Sequence, residues 1–355
     1  MKILILPGDG VGKEVTNEAR KVINIISKLY KLDIDIDFGY FGGEAVDKFD
    51  SPFPSQTIQK VKNSDAVLLG AVGGPQYDNV PKEKKPETGL LELRKSLNLF
   101  LNVRPIISFK ESADYSSVKK ELIEELDIII IRELVSGIYF GEPRGFNSDF
   151  TEAYNTMRYN QKEISRVADY ALNLSRERSK KLCSIDKANV LEVSQLWRST
   201  VEENAEKFKD VQLSHMYVDN AAMQLVQNPK QFDVIVTENL FGDILSDLAS
   251  VLTGSIGLLP SASLNNDGFG VYEPIHGSAP DIANKNIVNP IATILSVAML
   301  FQHTYKRVDI YEHILKSVKL VLRDGKYTRD LAEVDFISTN EMGDCIIQKI
   351  EELYK

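Results

Sequence analysis

The sequence predicts an α/β fold with a largely parallel sheet. Short apolar runs of the length of buried strands alternate with segments whose apolar residues recur at helical spacing. Gly- and Pro-containing turns separate the two kinds of segment, and this rhythm is typical of strand–helix–strand units. The sequence contains no internal repeat and no low-complexity linker that would interrupt it.

The predicted strands of the first half are runs in which aliphatic residues dominate or alternate with polar ones. They cover residues 2–6, 34–38, 65–69, 98–103 and 127–131. The first strand leads into a helix, because apolar residues follow it along one helical stripe. That stripe consists of Val15, Ala19, Val22, Ile26 and Leu29.

An exception to this rhythm follows the strand at 127–131. Residues 139–159 are rich in Gly, Phe and Tyr without a helical period, which predicts a hairpin that leaves the body of its domain. The alternation then resumes with helices predicted at 163–178 and 193–208 and strands at 182–185 and 234–236. We expect the C-terminal part to be mostly helical, with apolar stripes in 291–302, 310–322 and 342–353.

Composition restricts the function. The 355 residues, 43% of them hydrophobic, suffice for one large or two medium domains. A net charge of −9 without a Lys/Arg block argues against a nucleic-acid-binding surface. Cys183 and Cys345 allow at most one disulfide, and no signal-like segment is present, so we expect a cytoplasmic protein. No apolar run approaches the roughly 20 residues of a membrane span, and the histidines form no zinc pattern.

The stretch from 234 to 252 carries the clearest candidate site. After a strand and a polar turn, a predicted helix places Asp243 and Asp247 one turn apart on one face, with Ile244, Leu245, Leu248 and Val251 opposite. Like charges at this spacing repel by roughly 0.2–0.5 kcal/mol. No Lys or Arg three or four residues away offsets the repulsion, whereas a bound divalent cation would. An ordinary solvated acidic face explains the pattern equally well.

The glycine-rich turn near the N-terminus invites a dinucleotide interpretation. Gly8, Gly10 and Gly12 stand between a predicted strand and a helix. The Rossmann fingerprint requires two residues between its second and third glycines, and this turn has one. The turn is therefore either a backbone that approaches a ligand closely or a plain strand-to-helix connection.

Several basic residues stand where ligands bind in open α/β sheets, at strand ends. Arg104 and Arg132 close predicted strands, and Arg94 lies shortly before the first of these strands. Because Arg binds a carboxylate through two parallel hydrogen bonds, three arginines suggest a substrate with two carboxylates, with surface positions as the alternative. Lys187 closes another strand and could serve as a base, and Asp219 offers a further oxygen ligand.

These residues lie within long motifs through which the chain resembles the isocitrate/isopropylmalate dehydrogenase family of metal-dependent β-decarboxylating dehydrogenases. The resemblance covers essentially the whole length. The motifs are LPGDGVGKEV at 6–15, GAVGGPQYDNVP at 70–81, PETGLLELRKSLNLFLNVRP at 86–105, IIIIRELVSGIYFGEPRG at 128–145, IDKANVLEVSQLWR at 185–198, MYVDNAAMQLV at 216–226, VTENLFGDILSD at 236–247 and YEPIHGSAPDIANKNIVNP at 272–290.

The resemblance implies an oxidative decarboxylation at a site that two subunits of a homodimer complete. It implies that arginines bind the malate carboxylates, namely Arg94, Arg104 and Arg132. Mg²⁺ or Mn²⁺ would bind to Asp243, Asp247 and the second subunit's Asp219, which also counts as a substrate residue. Lys187, also from the second subunit, would take the hydroxyl proton during hydride transfer to NAD, and Tyr139 would later protonate C3.

The resemblance also places the dinucleotide on the loop 276–288, with Asp281 accepting hydrogen bonds from the adenosine ribose. This loop replaces the Rossmann fingerprint in the family. The implied cofactor-binding residues are Gly73, Gly74, Glu87, His276, Gly277, Ser278, Ala279, Asp281, Ile282 and Asn289.

Substrate choice within the family is implied by the segment after Pro86. Glu87, Leu90 and Leu91 match the isopropylmalate branch, in which two leucines on one helical face receive the isopropyl group. The implied reaction converts (2R,3S)-3-isopropylmalate to 4-methyl-2-oxopentanoate with reduction of NAD, the dehydrogenase step of leucine biosynthesis. The alternatives are a tartrate or D-malate dehydrogenase of the same family, or a non-catalytic regulatory paralogue.

The fold implied by the family has two α/β domains that share one extended sheet, with a protruding hairpin arm. The first, cofactor-binding domain would comprise 1–101 and 255–355, and the second, metal-binding and dimerisation domain 102–254. The sequence departs from the family pattern at Lys13, Tyr77, Val193 and Asn284, where Pro, Trp, a small polar residue and Gly are frequent.

We predict a strong preference for NAD⁺ over NADP⁺. The Asp281 carboxylate would repel the 2′-phosphate and lose its hydrogen bonds to the ribose hydroxyls. Steady-state kinetics with each cofactor measure the ratio of the two kcat/KM values, and comparable values would contradict the prediction.

Overall fold

The computed structural model describes residues 1–355 and confirms the α/β fold class. Strands and helices alternate along most of the chain, as predicted. The strands are β1 Lys2–Gly8, β2 Asp35–Phe38, β3 Ala66–Ala71, β4 Leu101–Ile107, β5 Asp127–Glu133, β6 Gly145–Phe146, β7 Ala153–Tyr154, β8 Lys181–Asp186, β9 Gln212–Tyr217, β10 Val234–Thr237, β11 Pro260–Leu264 and β12 Gly270–Pro274.

The helices include every helix that apolar periodicity predicted. They are α1 Gly12–Tyr30, α2 Gly43–Phe49, α3 Ser55–Lys62, α4 Pro86–Ser96, α5 Lys120–Ile123, α6 Gln161–Glu177, α7 Glu192–Ala205, α8 Val218–Gln227, α9 Asn239–Ser250, α10 Ile291–His303, α11 Val308–Arg323 and α12 Thr339–Tyr354. None of them is long and apolar enough to cross a membrane.

The chain divides into two compact units. The first comprises 1–97, 109–116 and 253–355, and the second comprises 98–108 and 117–252. Residues 109–116, which we expected in the second domain, belong to the first unit. A Cβ on Gly254 would lie 2.7 Å from the carbonyl oxygen of Ser112, so these two segments pack backbone to backbone.

The sheet of the first unit is mixed. β1 pairs in parallel with β2 and β3, β12 pairs in parallel with β3, and β11 pairs antiparallel with β12. Every residue of β3 is buried, which agrees with its continuous apolar run. Helix α10 is buried on all sides from Ile291 to Phe301 and forms the centre of this unit's core.

The second unit has a sheet in the order β4, β5, β10, β8, β9. All neighbours are parallel except β4 and β5. β4 begins three residues later than predicted because Asn98 adopts a left-handed backbone with φ 49°. Arg104 therefore lies in the middle of β4 and not at its end, whereas Lys187 directly follows β8 as predicted.

Local sequence signals explain where two helices begin. α6 starts with a capping box, in which the Asn160 side chain accepts from the Glu163 backbone and the Glu163 side chain accepts from Asn160. α12 starts with the same arrangement between Ser338 and Glu341. Such boxes satisfy backbone donors that a helix start leaves without partners.

The predicted hairpin exists as the two-stranded pair of β6 and β7. Gly145 pairs with Tyr154 and Phe146 with Ala153. Phe146 and Phe150 are 65% and 76% exposed, so this hairpin presents aromatic rings outward.

Three strands were missed by the sequence analysis. β11 and β12 interrupt the part that we expected to be mostly helical, and β9 was not predicted at all. β11 is rich in small residues, while β12 starts with Gly270 and ends with Pro274, so neither has a strand-like composition. β9 is largely polar because it lies at the edge of its sheet and pairs only with β8.

Candidate active site

Helix α9 carries the two aspartates on one face, as its sequence predicted. The Asp243 and Asp247 side chains are 34% and 64% exposed. The apolar residues predicted on the other side are not uniformly buried: Leu245 is buried, but Ile244 is 57% exposed and Val251, just past the helix, is 44% exposed. Only part of the apolar surface of α9 therefore packs against the core.

Two arginines offset the charge of the aspartates. Nη1 of Arg132 lies 2.5 Å from Oδ1 of Asp243, and Nη2 of Arg104 lies 3.5 Å from the same oxygen. Nη1 of Arg104 is also 3.6 Å from Oδ1 of Asp247. Our expectation that a bound cation would offset the pair, since no Lys or Arg stands one turn away, did not include these ion pairs, because partners from outside the helix were invisible in the sequence.

Strand register explains how both guanidiniums reach α9. Asn102 of β4 lies opposite Arg132 of β5, and Arg104 is two residues further along β4. Side chains two residues apart on a strand point to the same face, so Arg104 and Arg132 are diagonal neighbours on the face that α9 covers. Both are almost completely buried, with exposures of 7% and 1%.

Tyr139 joins the same cluster. Its hydroxyl donates a hydrogen bond of 2.8 Å to Oδ2 of Asp243. Burial raises the pKa of Tyr139, and the nearby Asp243 charge raises it further. The phenol therefore keeps its proton at neutral pH and is available as a proton donor.

Lys187 and Asp219 form a separate pair. Nζ of Lys187 lies 2.6 Å from Oδ1 of Asp219, which stands in the first turn of α8. This hydrogen bond lowers the pKa of Asp219. No group of three or more His, Cys, Asp or Glu residues able to hold a metal occurs in the chain, so one chain does not assemble the three predicted metal ligands.

In the first unit, part of the predicted cofactor loop lines a cavity of about 530 Å³. Such a volume is in the range of ligand sites. Five of the predicted cofactor residues line it: His276, Gly277, Ala279, Ile282 and Asn289. Ile287 and Val288, which also line it, lie within the predicted loop 276–288, whereas sequence reasoning missed the remaining lining residues, which are Ser255, Ile256, Gly257, Arg329 and Asp330.

His276 is one of the lining residues, and its ring contains an acceptor without a partner. Its Nδ1 lies 2.9 Å from the Gly277 carbonyl oxygen, so Nδ1 carries the proton in the neutral ring. Burial lowers the pKa of His276, which keeps the ring neutral. The buried Nε2 has no hydrogen-bond partner, so the neutral ring keeps one free acceptor.

The glycine-rich turn supports the cofactor loop. The Val11 amide donates to the Ser278 carbonyl at 2.9 Å. Gly10 has φ +53°, and a Cβ there would lie 2.0 Å from the same Ser278 oxygen, so only glycine fits. The turn is thus neither a Rossmann fingerprint nor a plain connection, since its backbone packs against Ser278 of the predicted cofactor loop.

Glu14 holds the far side of that loop. Its carboxylate accepts from the amides of Asn284 and Asn286 at 2.6 and 2.9 Å. Asn284 has φ 62°, a left-handed conformation that glycine and asparagine tolerate best. This explains how Asn can stand where the family often has Gly.

Asp9 fixes the segment that contains Gly73 and Gly74. Its buried carboxylate accepts from the amides of Gly43, Glu44 and Gly73, each at 2.8 Å. Burial raises the pKa of Asp9, while these amides oppose the rise. Oε1 of Glu87 would lie 2.6 Å from a Cβ on Gly73, so these two predicted cofactor residues are neighbours.

Helix α4 carries the predicted specificity residues. Glu87, Leu90, Leu91 and Arg94 have the spacing of one helical face. Arg94 was expected near a strand end but lies inside this helix, where its Nη2 pairs with Oε1 of Glu273 at 3.0 Å. Its buried Nε has no hydrogen-bond partner.

The sequence of the chain is similar to known proteins of one family over nearly its whole length. The family model described as isocitrate/isopropylmalate dehydrogenase matches residues 2–346. The 3-isopropylmalate dehydrogenase of Prochlorococcus marinus (strain NATL2A) is 50% identical over 99% of both chains. That of Pseudomonas syringae pv. syringae (strain B728a) is 51% identical over 99% of both chains.

Solved structures show the same fold. An isocitrate dehydrogenase from Methylococcus capsulatus superposes with a TM-score of 0.87 at 33% identity, covering 98% of this chain and 99% of that one. A β-decarboxylating dehydrogenase from Thermococcus kodakarensis gives a TM-score of 0.79 at 32% identity, covering 99% and 96%.

We predict that Asp243→Asn weakens Mg²⁺ and Mn²⁺ binding and slows turnover at least roughly tenfold, because a hard cation loses a charged oxygen ligand. The variant should also unfold more easily, since the buried Arg132 loses its carboxylate partner. Cation titration, turnover rates and denaturant unfolding measure the three effects.

The matched control is Asp210→Asn, which removes a carboxylate from an exposed ion pair with Arg176. It should leave cation affinity unchanged and lower stability far less than Asp243→Asn, because solvent screens the exposed pair. Unchanged cation dependence and rate in Asp243→Asn would refute the prediction.

Proposed function

Because the chain belongs to the isocitrate/isopropylmalate dehydrogenase family, we propose that it oxidises and decarboxylates 3-isopropylmalate to 4-methyl-2-oxopentanoate, with NAD as the electron acceptor. The observation that carries the substrate is the agreement of full-length relatives, 50–51% identical and named 3-isopropylmalate dehydrogenase. Leu90 and Leu91 on α4 support it, because they offer an apolar surface for an isopropyl group.

We assign the binding of the substrate carboxylates to the arginines. Arg104 and Arg132 would each take a carboxylate oxygen with donors that now contact Asp243 and Asp247. Arg94 of the first unit has a buried donor without a partner, so a carboxylate would satisfy it. A substrate with two carboxylates therefore suits the pair of Arg104 and Arg132.

The carboxylates of Asp243 and Asp247, one turn apart and partly exposed, fit a hard divalent cation. Asp219 of a second copy of the chain would complete the ligand set. When bound, Mg²⁺ or Mn²⁺ withdraws electron density from the substrate hydroxyl and carbonyl oxygens and so favours both loss of the proton and loss of CO₂.

The cofactor cavity fits an adenosine. Ile282 and Val288 supply apolar lining, and Nε2 of His276 supplies one unsatisfied acceptor. Asp281 would accept from the ribose hydroxyls of NAD. When bound, the nicotinamide accepts the hydride from C2 of the substrate.

Two side chains of the chain move protons. Lys187 takes the proton from the substrate hydroxyl, because its Nζ lies beside the proposed metal ligand Asp219. Tyr139 delivers a proton to C3 after decarboxylation, because burial and Asp243 hold the proton on its hydroxyl.

A homodimer would bring these residues together. Asp243, Tyr139 and the arginines cluster within one chain, while Lys187 pairs with Asp219 apart from them. α8, which starts at Val218, and α9 carry exposed apolar side chains. These are Met223, Val226 and Ile244. A second copy that covers them would bury this apolar surface and bring its own Lys187 and Asp219.

Since both cysteines are unpaired, we place the enzyme in the cytoplasm.

The test of the function is NADH formation with 3-isopropylmalate, isocitrate, tartrate and D-malate in parallel, each with Mg²⁺ and with Mn²⁺. We expect the highest kcat/KM with 3-isopropylmalate. An equal or higher value with D-malate, tartrate or isocitrate would assign a different substrate, and no turnover of any of them would remove the enzymatic proposal.

We predict that Tyr139→Phe separates the two halves of the reaction. Phenylalanine keeps the ring but has no proton to give, so hydride transfer should persist while protonation of C3 slows. Rapid mixing with separate readouts of NADH and CO₂ should show both products in the first turnover, while an unprotonated enol accumulates. Lys187→Met should abolish the first-turnover burst of NADH, and a normal burst would exclude Lys187 as the base.

We predict that two inactive variants complement each other in a hybrid dimer. When Lys187→Met and Asp243→Asn chains are co-refolded at equal amounts, half of the dimers are hybrids and each hybrid has one intact site, so about a quarter of the wild-type rate should return. Each variant refolded alone is the control. A mixture no more active than the controls would contradict sites shared between subunits.

A further inference from the structure

Arg132 is held by a neutral side chain as well as by an acid. Its Nε and Nη2 donate to Oδ1 of Asn239 at 3.2 and 2.8 Å. The Asn239 side chain is itself fixed, because its Nδ2 donates to the Ser136 carbonyl at 3.0 Å. Its backbone amide donates to the Tyr159 hydroxyl at 2.9 Å, and the residue is only 1% exposed.

The Nε of Arg104 likewise donates to the amide oxygen of an asparagine. Nε donates to Oδ1 of Asn102 at 2.7 Å, and Asn102 is completely buried. Nε has a single hydrogen, so this bond uses all of its donor capacity. Nη1 of Arg104 also donates to the hydroxyl of Ser246.

An amide oxygen accepts a hydrogen bond without carrying a full negative charge. It can therefore fix the plane of a guanidinium and leave the positive charge in place. A carboxylate at the same position would form a two-point ion pair and cancel much of that charge. In the structure, Asp243 instead approaches both arginines at their Nη ends, where a ligand carboxylate can compete for the same donors.

We propose that Asn102 and Asn239 are positioning residues that orient Arg104 and Arg132 while preserving their charge for the two carboxylates of the substrate. This inference rests on the proposed function, because it needs a dianionic substrate. Neither asparagine was singled out by its sequence, although Asn239 stands one helical turn before Asp243 and thus on the same face of α9.

The test replaces each amide by the acid of the same shape. Asn239→Asp and Asn102→Asp keep an acceptor oxygen beside Nε but add a negative charge. We expect the KM for 3-isopropylmalate to rise at least about tenfold in each, since the arginine then has a permanent counter-ion. Equilibrium binding of NADH, measured by fluorescence, should stay within about twofold of the wild type because its site lies on the first unit.

The control is Asn160→Asp, which adds the same charge to the second unit. Asn160 caps α6, and aspartate caps a helix equally well. Its KM for 3-isopropylmalate should match the wild type. Asn239→Ala removes the anchor without adding charge, so its KM should rise less than that of Asn239→Asp, and it replaces the Asp variant if that variant does not fold.

The inference is overturned if both Asp variants keep the wild-type KM, or if KM rises equally in Asn160→Asp. Loss of NADH binding in Asn102→Asp and in Asn239→Ala would also overturn it, because the effect would then be a general loss of structure. If the wild type uses another dicarboxylate, the proposed substrate fails, and the same comparison with that dicarboxylate still decides the role of the asparagines.

Discussion

The burial of two guanidinium groups is the constraint on which the candidate site depends. Arginine cannot lose its proton, and a buried ion without partners costs several kcal/mol. Arg104 and Arg132 nevertheless lie almost completely buried on one face of the sheet of the second unit. A helix that supplies an acid and an amide must therefore cover them, and α9 does so with Asp243 and Asn239. Asp243 is thus a counter-ion of the fold as well as a candidate metal ligand.

The need to cover these two arginines divides the surface of α9 into three parts. Asn239, Asp243 and Ser246, spaced as one helical face, contact the arginines. Leu245 and Ala249 face the core, and Ile244 remains exposed. A helix that served only as a core element would need two faces, one buried and one in contact with solvent. The third face of α9 is apolar and exposed, and a second copy of the chain would cover it. The first unit depends in a similar way on acids that bind backbone amides, since Asp9 and Glu14 fix the two segments that we predict to bind the cofactor.

The sequence allowed much of this fold to be predicted, and the reasons are physical. Strands such as β3 and helices such as α1 have the apolar periodicity that burial requires, so they were found. β9, β11 and β12 were missed because an edge position or close packing of small residues makes them unlike typical strands. Arg94 was also difficult to place from the sequence. Its helix was indicated only by a motif, and its ion-pair partner Glu273 lies far along the chain.

The sequence allowed the residues of the candidate site to be predicted, but not the contacts between them. The spacing of Asp243 and Asp247 fixed their common face, because a helix turn is a local property. Their compensation by Arg104 and Arg132 depends on the register of β4 against β5, which no local pattern encodes. Lys187 and Asp219 follow a different rule, because they pair with each other and not with the α9 cluster. In the proposed homodimer, the surface through which two chains associate would determine how closely they approach another chain's Asp243.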